Sequence, residues 1–163
     1  MKDVFQQQAE AFGARGTLLG LDLGDKTIGV ASCDPDRMVA TPVTTIRRTK
    51  FTPDAERLAA LAAERKAVGL ILGLPLNMDG TEGPRVQSTR AFARNLARIL
   101  PLPVAFWDER LSTAAMEREL IALDASRAKR AEKIDESAAA FILQGAIDRL
   151  RNAGQGGNAA DGS

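Results

Sequence analysis

Residues 17–33 hold two apolar runs on either side of a polar turn: Thr17-Leu-Leu-Gly-Leu-Asp-Leu-Gly24, then Asp25-Lys26, then Thr27-Ile-Gly-Val-Ala-Ser-Cys33. Short apolar runs bounded by glycine and aspartate are typical of strands in a core sheet. The turn between them predicts a hairpin, so the first two strands should pair in antiparallel fashion. Residues 38–48, rich in valine, threonine and isoleucine, predict a third strand.

Beyond residue 48, helical patterns alternate with short strands. Helices are predicted at residues 52–66, 84–100, 112–123 and 134–151, and strands at residues 68–72 and 103–107. Strands that are separated by helices favour parallel pairing. The sequence therefore predicts one α/β domain over residues 17–151, with helices on the faces of a mixed sheet. Residues 1–16 are predicted to form a flexible arm and residues 152–163 a disordered tail, because the first is polar and the second is of low complexity.

The composition excludes several classes of site. The 163 residues include no histidine and one cysteine, which removes histidine-based catalysis, histidine-ligated zinc and intrachain disulfides. Cys33 and Trp107 are most simply core residues. The net charge is +1, so any basic surface must be local. We expect a cytoplasmic protein, because a single cysteine suits a reducing compartment. We expect no membrane span, because no apolar run approaches the ~18 residues that a span needs, and no secretion signal is evident.

Acidic residues lie at the ends of three apolar segments. Asp22 ends the first strand, Asp108 and Glu109 end the strand predicted at residues 103–107, and Asp135 begins the last helix. A carboxylate at the end of a core strand is costly unless a cation meets it. Hard oxygen ligands of this kind suit Mg²⁺ or Mn²⁺, so the sequence predicts a shared site for one or two divalent ions. The chemistry that such a site permits is metal-assisted hydrolysis of phosphodiesters.

Each carboxylate also has a simpler interpretation. Asp22 could initiate a turn, and Asp135 could complement a helix dipole. Adjacent strand residues point to opposite faces, so at most one of Asp108 and Glu109 should face the site. We favour Glu109 and keep Asp108 open, and the other carboxylate should pair with Arg110 or another cation.

Basic residues and a polar loop rich in turn-forming residues could hold an anionic partner. The candidate nucleic-acid contacts are Lys26, Arg85, Arg90, Arg94, Arg110, Arg127, Lys129 and Arg130. They would supply salt-sensitive affinity for a phosphate backbone without reading its sequence. Residues 77–83 follow a buried strand, where ligands often sit in α/β sheets. The alternative is that these are a solvated helix face and an ordinary surface loop.

Four segments resemble the motifs of the YqgF/RuvX family of Holliday junction resolvase-like nucleases. They begin at Leu19 (Leu-Gly-Leu-Asp-Leu-Gly-Asp-Lys-Thr-Ile-Gly-Val-Ala), Gly73 (Gly-Leu-Pro-Leu-Asn-Met-Asp-Gly-Thr-Glu-Gly), Trp107 (Trp-Asp-Glu-Arg-Leu-Ser-Thr) and Lys133 (Lys-Ile-Asp-Glu-Ser-Ala-Ala-Ala-Phe-Ile-Leu-Gln). The resemblance implies an RNase H-like (RuvC-type) fold, a five-stranded mixed sheet flanked by helices. It also implies a Mg²⁺- or Mn²⁺-dependent nuclease that acts on structured nucleic acid. Asp22, one of Asp108 and Glu109, and Asp135 match the family's acidic positions.

The resemblance leaves the substrate open between branched DNA and precursor 16S ribosomal RNA. Symmetric resolution of a four-way junction needs two active sites and so predicts a homodimer, whereas processing of RNA does not. Two other functions remain as alternatives. One is a non-catalytic nucleic-acid-binding module that keeps the fold. The other is an actin-like phosphate- or nucleotide-binding protein, because Leu21-Asp-Leu-Gly-Asp-Lys26 resembles the first phosphate loop of that class.

Overall fold

A five-stranded mixed sheet forms the centre of the computed structural model, which describes residues 2–111 and 138–153. Its strands are β1 (Thr17–Leu23), β2 (Thr27–Cys33), β3 (Ala40–Arg47), β4 (Ala67–Leu74) and β5 (Val104–Asp108), in the order β3-β2-β1-β4-β5. The first three strands pair in antiparallel fashion, and β4 and β5 run parallel to β1. The predicted mixed sheet is confirmed. Its topology brings the carboxyl ends of β1, β4 and β5 to one edge, called the carboxyl edge below.

Helices cover both faces of this sheet. They are α1 (Val4–Ala9, followed by a 3₁₀ turn at Glu10–Phe12), α2 (Phe51–Arg65), α3 (Pro84–Leu96) and α4, the helical residues 138–153. The helices α1 and α4 pack on one face, the α4 face, and α2 and α3 pack on the other, the α3 face. In α4, Ile142, Leu143 and Ile147 are fully buried, which contributes about 1.5–3 kcal/mol for each side chain. No helix in the described ranges is long and apolar enough to cross a membrane.

The N-terminal segment belongs to the folded domain, so the prediction of a flexible arm over residues 1–16 is wrong for α1. Asp3 accepts a hydrogen bond from the backbone N–H of Gln6 at 2.8 Å, and the Gln6 side chain accepts one from the N–H of Asp3 at 3.1 Å. This reciprocal capping box begins the helix. Phe5 then packs edge-on against Trp107, with ring centroids 5.0 Å apart. The apolar contact explains why so short a helix is held on the sheet.

Several element boundaries differ from prediction by a few residues. The strand β3 begins at Ala40 and not at residue 38, because the Asp34 carboxylate accepts hydrogen bonds from the N–H groups of Met38 and Val39, both at 2.9 Å. The helix α3 ends at Leu96 and not at residue 100. Residues 152–153 continue α4, so the predicted start of a disordered tail at residue 152 is wrong. The buried positions predicted for Trp107 and Cys33 are confirmed, at 5% and 6% exposure.

Candidate active site and nucleic-acid interface

Asp22 lies in the second-last position of β1 and is only 2% exposed. Side chains alternate along a strand, so Asp22 points to the same face as Gly20. A Cβ atom at Gly20 would lie 2.7 Å from Leu143 Cβ and 2.9 Å from the carbonyl oxygen of Ala139, so this is the α4 face. Because Gly20 has no side chain, α4 can approach β1 closely at this position, two residues before Asp22.

Glu109 follows β5 directly, in a 3₁₀ turn over Glu109–Leu111. A Cβ atom at Gly73 in β4 would lie 2.7 Å from Glu109 Oε1 and 2.6 Å from Ile142 Cδ1. The Glu109 carboxylate therefore lies against bare backbone at Gly73, also on the α4 face. Leu21 pairs with Leu72 in register, which places Asp22 beside Gly73 on strands roughly 5 Å apart. Asp22 and Glu109 thus occupy neighbouring positions at the carboxyl edge.

Asp108 has a different environment. Trp107 packs on the α4 face, so alternation turns Asp108 to the opposite side. Its carboxylate forms an ion pair with Arg110 at 2.7 Å, as predicted for the residue that does not face the site. Burial by itself raises the pKa of the Asp108 carboxyl, but the hydrogen bonds and positive charge of Arg110 outweigh it and hold the pKa below its ordinary value. The Asp108 carboxylate is thus paired with Arg110 of the same chain.

The third candidate ligand, Asp135, lies outside the described residues. The described part of α4 starts three residues after it in sequence, and the Ala139 carbonyl lies over Gly20. Within residues 2–111 and 138–153, no three acidic, histidine or cysteine side chains are grouped closely enough to hold a metal ion. Asp22 and Glu109 supply two carboxylates of the kind that Mg²⁺ and Mn²⁺ prefer, so the donor chemistry of the pair fits such an ion.

The loop after β4 is closed by its own hydrogen bonds. Asn77 N–H donates to the Thr81 carbonyl at 3.0 Å, and Gly80 N–H donates to the Asn77 carbonyl at 2.8 Å. The side chain and backbone of Thr81 both donate to Asp79, which lowers the pKa of the Asp79 carboxyl. Arg110 Nη1 donates to the Met78 carbonyl at 3.3 Å. The same arginine therefore joins this loop to Asp108 beside the site.

The predicted basic contacts fall into three groups. Arg90 donates to Glu82 at 2.8 Å and lies 5.1 Å from the Phe106 ring centroid, and Arg110 is paired with Asp108, so both guanidinium groups serve internal contacts. Lys26, Arg85 and Arg94 are exposed, and none of them forms a salt bridge with another described residue. Arg127, Lys129 and Arg130 lie outside the described residues.

Sequence reasoning did not identify the glycines that shape the site. Gly20 and Gly73 interrupt apolar strand runs, a pattern that signals close approach by another group. The sequence could have flagged both positions on that ground. It could not have named Leu143, Ile142 or Glu109 as the groups that approach, because those contacts are tertiary.

Comparison with known proteins gives consistent results. A protein of Rhodopseudomonas palustris (strain TIE-1) named "Putative pre-16S rRNA nuclease" is 74% identical over 136 residues, which cover 83% of this chain and 85% of that protein. A protein of Bradyrhizobium diazoefficiens with the same name is 71% identical over 138 residues, which cover 85% of this chain and 86% of that protein. The structure of T. thermophilus RuvC in complex with Holliday junction substrate matches with a TM-score of 0.51 at 14% identity. That match covers 82% of this chain and 96% of RuvC, and it supports the RNase H-like fold alone.

The family model described as RuvX: Holliday junction resolvase matches residues 16–149. This range contains all five strands and every candidate acidic position. The match spans most of the chain and agrees with the motif resemblance and with the curated relatives. The chain therefore belongs to the RuvX family of Holliday junction resolvases.

Proposed function

We propose that this RuvX-family chain is a metal-dependent endonuclease that hydrolyses phosphodiester bonds in structured nucleic acid. The observation that carries the proposal is that Asp22 lies beside Gly73 in the sheet and that the Glu109 carboxylate lies over Gly73, at the carboxyl edge. The family is described as Holliday junction resolvases, and the curated relatives are named as nucleases of precursor 16S ribosomal RNA, which supports the reaction class.

Asp22 and Glu109 would hold a Mg²⁺ or Mn²⁺ ion, with Asp135 as the third proposed ligand. When bound, such an ion activates a water molecule and offsets the negative charge that develops on the leaving oxygen. Asp22 suits this role because a central strand fixes it and because it is almost fully buried. A rigid carboxylate keeps its position when a charged substrate arrives.

Glu109 lies on a short turn, so its position depends on its neighbours. Arg110 N–H donates to Asp108 Oδ1 at 3.0 Å, and the Arg110 guanidinium holds the same carboxylate. These bonds fix the backbone on either side of Glu109, and Gly73 leaves the space that its carboxylate occupies. We infer that Asp108 and Arg110 act as positioning residues and that Glu109 is the ligand. Positioning within a few tenths of an ångström is what such a site needs.

The substrate backbone would run along the carboxyl edge. Lys26 lies in the β1–β2 turn and Arg85 in the first turn of α3, both at this edge. Arg94 lies nine residues further along α3, roughly 13 Å away at 1.5 Å per residue. Lys26 and Arg85 are therefore better placed than Arg94 to contact phosphates next to the cleaved bond. Contacts of this kind set the position of the strand without reading its sequence.

The test is cleavage of labelled nucleic acids by the purified protein, in Mg²⁺, in Mn²⁺ and in EDTA. The substrates are a four-way DNA junction, linear duplex DNA, single strands and a precursor 16S ribosomal RNA leader. We expect metal-dependent cleavage that Asp22→Asn abolishes. Asp36→Asn serves as the matched control, because Asp36 is exposed and pairs with Arg15 away from the carboxyl edge. Cleavage that survives in Asp22→Asn would refute the site.

The same experiment separates the two substrates. Paired symmetric nicks in the junction would assign the chain to junction resolution, and the enzyme should then be a homodimer in solution because two active sites must act together. Cleavage of the RNA leader alone would assign it to maturation of the ribosomal RNA 5′ end. Absence of metal-dependent cleavage from every substrate would overturn the proposal in favour of a binding module.

A further inference from the structure

A small polar pocket lies beside the candidate active site, on the opposite, α3 face of the sheet. Its volume is about 70 Å³, and its walls include Gly24, Asp25, Arg48, Arg85, Ser88 and Phe92. The β1–β2 turn, the residue that follows β3 and the first three turns of α3 each contribute a wall. Two arginines from separate elements meet at this one small space.

Arg48 is held in place at the pocket wall. Its Nη1 donates to the Gly24 carbonyl at 2.7 Å, and its guanidinium carbon lies 5.6 Å from the centroid of the Phe92 ring. The backbone N–H of Arg48 also donates to the Lys26 carbonyl, at 2.8 Å. A guanidinium has five N–H donors, so this arrangement fixes the group while leaving most of its donors available. None of these contacts neutralises its charge.

Arg85 provides the second cation from α3. It is exposed, and its guanidinium forms neither a salt bridge nor a hydrogen bond with any other residue in the described ranges, although its backbone carbonyl accepts a hydrogen bond from the Thr89 hydroxyl at 2.9 Å. Ser88, one turn further on, adds a hydroxyl group to the same wall. Asp25 is also a lining residue, and its negative charge offsets one of the two positive charges. The lining therefore keeps a net charge of one positive unit and several free donors, a combination that suits a phosphate group.

The position of the pocket suggests which phosphate it takes. Gly24 lies two residues beyond Asp22 along the chain, which corresponds to roughly 7 Å at the rise of a strand. Successive nucleotides of one DNA strand rise about 3.4 Å along the helix axis. Gly24, one wall of the pocket, thus lies within about one or two nucleotide steps of Asp22 along the carboxyl edge.

We propose that Arg48 and Arg85 form a phosphate subsite that anchors the backbone of the nucleic-acid substrate next to the cleaved bond. The location relative to the cleaved bond rests on the proposed nuclease function, whereas the affinity for phosphate does not. By holding a neighbouring phosphate, the subsite would fix which phosphodiester reaches Asp22. It would contribute affinity and position without sequence preference.

The first test titrates inorganic phosphate into the protein and follows backbone amide signals by NMR. We expect saturable shifts at Gly24 and Ser88, with binding about tenfold weaker in Arg85→Gln, since one charge-assisted contact is lost. Arg98→Gln removes the same charge two residues after α3, at an exposed position outside the pocket, so it should bind phosphate like the wild type. No saturable shift at the pocket, or equal binding in Arg85→Gln and the wild type, would overturn the subsite.

The second test measures affinity for labelled junction DNA and precursor RNA in EDTA at several salt concentrations. Arg85→Gln should weaken binding to every sequence alike and lower the slope of log affinity against log salt by about one, and Arg48→Lys should weaken binding while keeping the charge. Normal cleavage and binding in both variants would overturn the subsite and leave the nuclease proposal intact. Phosphate binding that depends on Arg85, in a wild-type protein that cleaves nothing, would support the subsite and refute the nuclease proposal.

Discussion

Gly73→Ala should disable the active site by displacing one carboxylate. The new Cβ would lie 2.7 Å from Glu109 Oε1 and 2.6 Å from Ile142 Cδ1, whereas ordinary contact begins at 3.4 Å. The Glu109 carboxylate must therefore move by about 0.7 Å or more, and the Ile142 Cδ1 atom must shift by a similar distance. Because misplacement of a reacting group by about 1 Å can cost 10²-fold in rate, we expect cleavage to fall by about 10- to 100-fold.

The overpacking will also cost stability, and the assay must separate that loss from the catalytic one. Inserting a methyl group into a packed core typically costs about 1–3 kcal/mol. Gly69→Ala is the matched control, because Gly69 lies on the same strand and face, and its new Cβ would meet the Phe12 ring at 2.1 Å, away from the carboxyl edge. We expect both variants to unfold at lower urea concentration.

Single-turnover cleavage at saturating Mg²⁺, corrected for the folded fraction, then distinguishes the two glycines. Gly69→Ala should retain the wild-type rate per folded molecule, and Gly73→Ala should not. Gly73→Ala should also need more Mg²⁺ to reach half of its maximal rate, because one metal ligand has moved. A wild-type rate and a wild-type Mg²⁺ requirement in Gly73→Ala would show that the Glu109 carboxylate has no part in the site.

Three further predictions concern the neighbouring residues. Glu109→Gln should abolish metal-dependent cleavage, whereas Asp108→Asn should lower it by tenfold or less, and an equal loss in both variants, measured at saturating Mg²⁺, would contradict the separate roles assigned to them. The pKa of Asp108 is lowered in the folded protein, so its contribution to stability is present above the unfolded value, near 3.8, and is lost as the pH falls through the folded value. The stability difference between wild type and Asp108→Asn, measured by urea unfolding, should therefore shrink as the pH falls below about 4. Phe5→Ala should destabilise the fold by about 3–5 kcal/mol through lost packing on Trp107, and an unchanged unfolding midpoint would show that α1 is not seated as described.

Most of the sheet could be predicted from local signals. The apolar runs over residues 17–33, with glycine and aspartate at the turn, indicated the hairpin, and the helices between later strands indicated parallel pairing. The sequence does not predict the helix α1, because three consecutive glutamines are typical of an exposed, flexible segment. Two features of the sequence do indicate this helix: the Asp3–Gln6 capping box and the spacing of the apolar residues Phe5, Ala9 and Phe12. The packing of these residues on the cluster that contains Trp107 then stabilises the helix.

The sequence predicts which residues belong to the candidate site better than it predicts how they are arranged. The acidic residues could be identified because each lies at the end of an apolar segment. The sequence does not decide which of Asp108 and Glu109 faces the site, because the two are adjacent at the end of one strand. Their orientation follows from the packing of Trp107 on the α4 face. The contact between Glu109 and Gly73 joins a turn after β5 to β4, and no local pattern encodes it. The assignment of the metal ligands stays a prediction, with Asp135 outside the described residues.

The most direct test of the account is the affinity of the protein for Mn²⁺, measured by electron paramagnetic resonance in the wild type, Asp22→Asn and Asp36→Asn. Asp22 is proposed to bind the ion itself, whereas Asp36 lies in an exposed pair with Arg15. We expect the wild type and Asp36→Asn to bind Mn²⁺ alike and Asp22→Asn to bind it at least about tenfold more weakly, because one of few charged oxygen ligands is lost. Equal Mn²⁺ affinity in all three proteins would contradict a metal site at the carboxyl edge.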